Sequence, residues 1–156
     1  MMRSEAIRRD RGHRVARPEL HLAGKVTIGF LVWLGLGALA GGAALVAKPD
    51  GSVMGFSTAL LAGSPFPDFL VPGLILGGLF GLGSLATAFA GLRHAALAPV
   101  VAFAIGCGQM IWIVVQLQII KEVSFLHPLM FGTGLVIAVA AAIWGWPTAR
   151  RWWADR

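Results

Sequence analysis

The chain has few charged residues, one cysteine and no tyrosine. Only 13% of its 156 residues are charged and 57% are hydrophobic, whereas about a quarter of the residues in a soluble domain are charged. This composition excludes an ordinary soluble domain. The single Cys107 excludes an internal disulfide, and it also excludes a disulfide-exchange enzyme, which needs paired cysteines.

Most of the remaining sequence consists of four apolar runs. Each is long enough to cross the roughly 30 Å hydrocarbon layer as a helix. The first is too long to be the core of a cleaved signal peptide, so we interpret it as a membrane span. We predict an all-α fold, a four-transmembrane-helix bundle at 25–148 between basic tails at 1–24 and 149–156. The predicted helices cover about 26–47, 69–92, 95–120 and 128–146.

The basic residues are distributed unevenly between the two sides of the predicted membrane. Of the thirteen Lys and Arg residues, seven lie at or before Lys25, one is Arg93 and three lie at or after Arg150. The other side has only Lys48 and Lys121. Because basic residues concentrate in cytoplasmic segments, this bias predicts that both termini are cytoplasmic.

The segment 48–68 is then an outer loop. It opens with a Lys-Pro-Asp-Gly turn signal and carries a ten-residue apolar run at 53–62. Because this run is too short to span a bilayer, we predict a short interfacial helix that caps the bundle.

Glycines at four-residue spacing indicate where the helices pack. Small residues let two backbones approach closely, which is a main source of helix association in lipid. The sequence therefore predicts packing contacts within the bundle at these glycines, with a homodimer seam as the alternative. The predicted packing residues are Gly37, Gly41, Gly73, Gly77 and Gly81.

Three residues of the third predicted helix could form a ligand site. Gln109, Trp112 and Gln116 are spaced three and four apart, so they share one helix face. Polar side chains inside a membrane are costly and are the first candidates for function. The stripe predicts either hydrogen bonds that join neighbouring helices or a polar, aromatic-lined pocket that opens outward.

Further ionisable residues, Asp68, Lys121, Glu122 and His127, lie at the predicted outer mouth of the bundle. The simplest interpretation makes Asp68 a helix cap, Lys121 and Glu122 a solvated pair, and His127 an interfacial residue. The alternative is a cation site or a proton relay that includes His127. A metal site would need a second His or Cys on this side, and the sequence supplies none. Ser84 and Thr87 have no base within their segment, so they are not candidate nucleophiles.

Two segments carry a resemblance to known proteins. SPFPDFLVPGLIL at 64–76 and WIVVQLQIIKEVSFLHPLMFGTGL at 112–135 resemble small uncharacterised four-helix membrane proteins of high-GC bacteria. The resemblance covers about residues 25–148 and implies topology alone. The expected location is a bacterial inner membrane, which the chain crosses several times.

The absence of a catalytic set favours a non-enzymatic protein. We expect a small integral membrane protein that binds a partner subunit or a lipophilic ligand within the bundle. The alternative is a small transporter or an ion-conducting oligomer that uses the Gln109/Trp112/Gln116 face. We expect no cofactor and no nucleic-acid partner. The expected partners are the lipid bilayer and a larger membrane complex or a second copy of the chain.

Overall fold

The computed structural model describes residues 20–120 and 124–154, with side chains up to Trp146. This part of the chain forms four long helices, and each has the length and apolar composition needed to cross a membrane. The fold is the predicted all-helical one, and the chain is a multi-pass membrane protein. The helices are α1 (Leu22–Ala47), α2 (Leu70–Leu92), α3 (Ala98–Ile120) and α4 (Leu126–Ala154).

The ends of the helices agree with the predicted spans within a few residues, except at the two outer limits. α1 begins at Leu22, where the His21 ring accepts a hydrogen bond from the backbone N–H of Ala23 at 3.3 Å. α4 continues to Ala154 instead of ending near 146. Hydropathy marks only the part of a helix that lies in lipid, so polar extensions of a spanning helix are missed.

α1 and α2 pack through glycines at a very short distance. A Cβ placed on Gly42 would lie 2.5 Å from the Cα of Gly77, and one placed on Gly81 would lie 3.1 Å from the Cα of Leu39. Real Cβ atoms essentially never come within 3.0 Å of another heavy atom. The backbones of α1 and α2 therefore touch only because Gly42 has no side chain.

The glycines of α1 that make this contact differ from the predicted pair. No atom lies within 4 Å of a Cβ placed on Gly37, and Gly41 would meet only the side chain of Leu76, at 3.4 Å. Gly35 and Gly42 are buried instead. They are seven residues apart, which is two helical turns, so both lie on the face of α1 towards α2. The predicted Gly73, Gly77 and Gly81 all lie against α1.

α3 and α4 form a second glycine contact. A Cβ on Gly106 would lie 2.7 Å from the carbonyl oxygen of Gly134, and a Cβ on Gly134 would lie 2.8 Å from that of Gly106. The two helices therefore approach each other backbone to backbone, and this contact sets the position of the middle of α3. That is the part of α3 that carries Gln109.

The two ends of the bundle differ in the connecting segments that they carry. The turn end carries residues 93–97, which connect α2 to α3, and the loop end carries residues 48–69, which connect α1 to α2. At the turn end the half-buried indole of Trp144 lies between α1 and α2, and a Cβ added at Gly24 or Gly91 would meet it at 3.2 and 2.9 Å. Trp144 thereby holds α4 against both α1 and α2.

The loop end differs from the predicted single interfacial helix. The loop forms two short 3₁₀ turns, Ser52–Met54 and Thr58–Leu61. Leu61 and Phe69 are buried with Leu45 of α1 in a small apolar cluster that covers the ends of the helices. The loop does cap the bundle, although glycines with positive φ at positions 51, 55 and 63 divide it into turns.

The middle of α2 is a π-helix that extends from Ile75 to Leu82. The backbone N–H of Gly83 bonds to the carbonyl of Gly78, five residues back. π segments are rare, and they occur frequently at functional sites. Here the segment carries Phe80 into the core, where its ring packs on Trp112 of α3 with centroids 6.0 Å apart.

Candidate functional site

The predicted stripe of α3 faces the bundle at two of its three positions. Gln109 is 2% exposed, and its Cβ lies beside Gly134 of α4. Trp112 is half-buried and packs on Phe80 of α2. Gln116 is also half-buried and lies at the margin of the same face. Gln109 is the central residue of α3, and it is therefore near the middle of the membrane span.

Three buried polar atoms of the described region have no hydrogen-bond partner. They are the Oγ of Ser84, the Oε1 of Gln109 and the Nε1 of Trp112. A buried polar group left unpaired costs about 1–3 kcal/mol, and buried groups in folded proteins are therefore almost always paired. Three unpaired groups on two adjacent helices mark this region as the candidate site.

The helical register brings these three side chains to nearly the same level. Ser84 lies about 6 Å beyond Phe80 towards the turn end, and Gln109 lies about 4.5 Å from Trp112 in the same direction, since α2 and α3 are antiparallel. Side chains lean towards the N-terminus of their helix. Gln109 and Trp112 therefore lean towards the turn end, and Ser84 leans towards the loop end.

Ser84 differs from the other hydroxyl residues of the described spans. Thr27, Thr87 and Thr133 each donate a hydrogen bond to the carbonyl four residues back, at 2.8, 2.7 and 3.0 Å. The carbonyl four residues before Ser84 belongs to Phe80, inside the π segment. Because the π segment changes the local register, the Ser84 hydroxyl is left without that bond although it is fully buried.

The remaining predicted residues act as helix caps or lie outside the described region. Asp68 accepts a hydrogen bond from the backbone N–H of Leu70 at 2.9 Å and caps α2. The Nδ1 of His127 accepts from the backbone N–H of Ser124 at 3.0 Å, at the start of α4. These bonds are local to each helix start. Lys121 and Glu122 lie outside the described residues.

Asp50 is the carboxylate of the loop end with a shifted pKa. The backbone N–H and the hydroxyl of Ser52 donate hydrogen bonds to its Oδ1 at 3.0 and 2.7 Å. These bonds favour the charged form and lower the pKa of Asp50 below its ordinary value. The arrangement is that of a turn on the surface, which places this carboxylate apart from the three unpaired atoms.

A groove of about 370 Å³ lies on another face of α3, where α3 meets α4. Cys107 lies two residues before Gln109, about 200° around the helix, so the groove opens on the side away from the unpaired atoms. The groove has no polar side chain to orient a ligand. Its lining consists of Cys107, Met110, Ile111, Val114, Val115 and Phe131.

Among residues 20–120 and 124–154, no group of three or more His, Cys, Asp or Glu side chains could hold a metal ion. The chemistry that the site offers is therefore hydrogen bonding by neutral groups. Trp112 supplies a donor, and Gln109 and Ser84 each supply a donor and an acceptor.

Sequence reasoning missed Ser84 as part of this site because it considered the residue only as a nucleophile. Nothing in the sequence separates this serine from the small residues that commonly lie at helix contacts in lipid. No family model, curated protein or solved structure matches the chain.

Proposed function

We propose that this chain is a non-enzymatic membrane protein that binds a lipophilic ligand inside its bundle. The observation that carries the proposal is the set of unpaired buried atoms on Ser84, Gln109 and Trp112. A ligand with a polar head would pair them, and an apolar body would suit the surrounding side chains.

The position of the polar atoms favours ligand binding over transport. Gln109 is enclosed between α3 and α4, and the Trp112 ring is packed on Phe80. Residues that line a conducting path would instead be exposed along it. The transporter alternative, which uses the same face together with Gln116, therefore draws less support from the structure than the binding function does.

Binding of a protein partner is the second part of the proposal. On α1, Gly29 and Gly37 have no atom within 4 Å of an added Cβ, and Trp33 between them is 60% exposed. Small residues on an exposed membrane face permit close approach of another helix. A larger membrane complex or a second copy of the chain would be the partner at this face.

The proposed location is the bacterial inner membrane, with both termini in the cytoplasm. This orientation is supported by the count of basic residues, eleven of which lie on the side of the termini and the Arg93 turn. In this orientation the turn end faces the cytoplasm and the loop end faces outward.

Native mass spectrometry of the full chain, purified in mild detergent, tests the ligand. We expect wild-type protein to retain a small lipophilic molecule as a defined mass increment. The double variant Gln109→Leu/Trp112→Phe should lower its occupancy by at least about tenfold, because two hydrogen bonds to a buried polar head are lost.

Gln118→Leu is the matched control, since Gln118 lies on the same helix with an exposed side chain. This variant should retain the ligand at the wild-type level. A wild-type protein with no bound molecule, or equal occupancy in all three proteins, would contradict binding at this site.

A further inference from the structure

The turn end of the bundle carries a large excess of positive charge. The residues up to Lys25, Arg93 and the residues from Arg150 onward hold eleven Lys and Arg residues against four Asp and Glu residues. Among residues 20–120 and 124–146, whose side chains the structure describes, the only carboxylates are Asp50 and Asp68, both at the loop end. The length of α2, about 34 Å, separates them from Arg93 by several times the Debye length of about 10 Å.

The side chain of Arg93 lies back along α2 and does not extend beyond the end of the helix. Arg93 caps the C-terminus of α2, and its Cζ is 5.3 Å from the centre of the Phe89 ring, four residues earlier. Phe89 and Leu92 are 61% and 55% exposed on this spanning helix, so they face lipid. The guanidinium therefore lies beside the last turn of the span, where acyl chains meet head groups.

The backbone at this helix end does not need the guanidinium as a cap. The N–H of His94 donates to the carbonyl of Gly91, and the N–H of Ala95 donates to that of Ala90, both at 3.0 Å. His94 has the left-handed φ of 56° that closes a helix in this way. The contact with the Phe89 ring uses only the flat face of the Arg93 guanidinium and none of its five N–H donors.

We infer that Arg93 binds the phosphate group of an anionic phospholipid in the membrane leaflet at the turn end. A guanidinium matches two phosphate oxygens with two parallel N–H donors. The acyl chains of the same lipid would lie on Phe89 and Leu92, contacts that a soluble anion lacks. This site is on the outer surface of the bundle, and it does not depend on the ligand site proposed for the interior.

The excess of positive charge at the turn end favours an anionic lipid over a zwitterionic one. The head group of a zwitterionic lipid adds a cation beside Arg93 and Lys25. In the part of the chain whose side chains are described, this end has no carboxylate to pair with that cation. A head group with one net negative charge is therefore the better match.

The test titrates the full chain in an uncharged detergent and counts bound molecules by native mass spectrometry. The probe is dilauroyl phosphatidylglycerol. Dilauroylglycerol lacks the phosphate, glycerol 1-phosphate lacks the acyl chains, and dilauroyl phosphatidylcholine adds a cation. We expect phosphatidylglycerol to bind at least about tenfold more tightly than each of the three, because hydrogen bonds to a charged group contribute that much.

Three variants locate the binding. Arg93→Gln should weaken binding of phosphatidylglycerol about tenfold, since it removes the charge and the paired donors. Phe89→Leu keeps an apolar side chain but no longer holds the guanidinium, and it should weaken binding about threefold. Lys48→Gln is the matched control, because it removes one exposed positive charge at the loop end, and it should bind as wild type does.

Equal binding of phosphatidylglycerol to Arg93→Gln and to wild type would overturn the assignment. An equal loss in Arg93→Gln and Lys48→Gln would also overturn it, because the lipid would then respond to net charge and not to a site. Dilauroylglycerol that binds as tightly as phosphatidylglycerol would remove the role of the phosphate. Phosphatidylcholine or glycerol 1-phosphate that binds as tightly would contradict an anionic lipid as the ligand.

Discussion

Replacing Gly42 with alanine is expected to destabilise the folded protein by about 1–3 kcal/mol, the usual range for adding atoms to a filled contact. A Cβ at this position would lie 2.5 Å from the Cα of Gly77 and 2.8 Å from the carbonyl oxygen of Gly73. Both are backbone atoms of a packed helix, so α1 and α2 must separate. The gain of up to about 1 kcal/mol in helix propensity from glycine to alanine is too small to offset this. Thermal unfolding in one detergent measures the loss.

The same methyl group at two other glycines supplies matched controls. A Cβ on Gly77 would be 3.5 Å from the Cα of Gly42, an ordinary contact, although Gly77 belongs to the same crossing. A Cβ on Gly37 would meet nothing within 4 Å. Gly77→Ala should therefore cost little, and Gly37→Ala should be neutral or slightly stabilising. If Gly42→Ala unfolds at the same temperature as Gly37→Ala, the backbone contact between α1 and α2 does not exist as described.

Thiol labelling in intact cells is expected to separate the two ends of the bundle almost completely. Ala62 in the loop end and Ala96 in the turn end are both exposed, and they lie at opposite ends of α2. Each is replaced by cysteine in a Cys107→Ala background. Because basic residues concentrate on the turn side, an impermeant maleimide should label Ala62→Cys and leave Ala96→Cys unlabelled.

Permeabilised cells provide the control, because both variants should then be labelled equally. Labelling of Ala96→Cys with protection of Ala62→Cys in intact cells would reverse the orientation. Labelling of both positions in intact cells would show that the two ends are not separated by a membrane.

The four helices and their order could be predicted from the sequence because lipid imposes a simple requirement. A spanning segment must satisfy its backbone internally and present apolar side chains over about twenty residues. The runs that meet this requirement are separated by the short polar stretches at Arg93 and at Lys121, and the 48–68 segment is too polar to join its neighbours. The positions of the spans therefore followed from composition alone.

The packing faces were harder to predict. On α2 the glycines at 73, 77 and 81 are four residues apart and all lie against α1. These are the glycines that the spacing predicts. On α1 six glycines, at 24, 29, 35, 37, 41 and 42, point in several directions. Spacing alone could not choose between Gly37 and Gly35, because that choice depends on which face of α1 the other helices cover.

The residues of the candidate site could be singled out from the sequence only in part. Gln109 and Trp112 stood out as a polar stripe, and the structure shows that both face the bundle. Ser84 could not be added without knowing the π segment, since an α-helical serine bonds its own backbone. A π segment depends on how the whole helix packs against its neighbours, and the hydropathy of the sequence does not indicate where one will form.

The stability of Gln109→Leu, compared with wild type before and after extraction of bound lipid, tests the ligand site most directly. Leucine has about the volume of glutamine and no acceptor. With ligand bound, wild type should unfold at the higher temperature. After extraction this difference in unfolding temperature should disappear or reverse, because wild type then keeps an unpaired buried acceptor. Gln118→Leu, at an exposed position of the same helix, should show no dependence on extraction. A Gln109→Leu protein that is less stable by the same amount in both states would contradict the site, because Gln109 would then be bonding another helix and not a ligand.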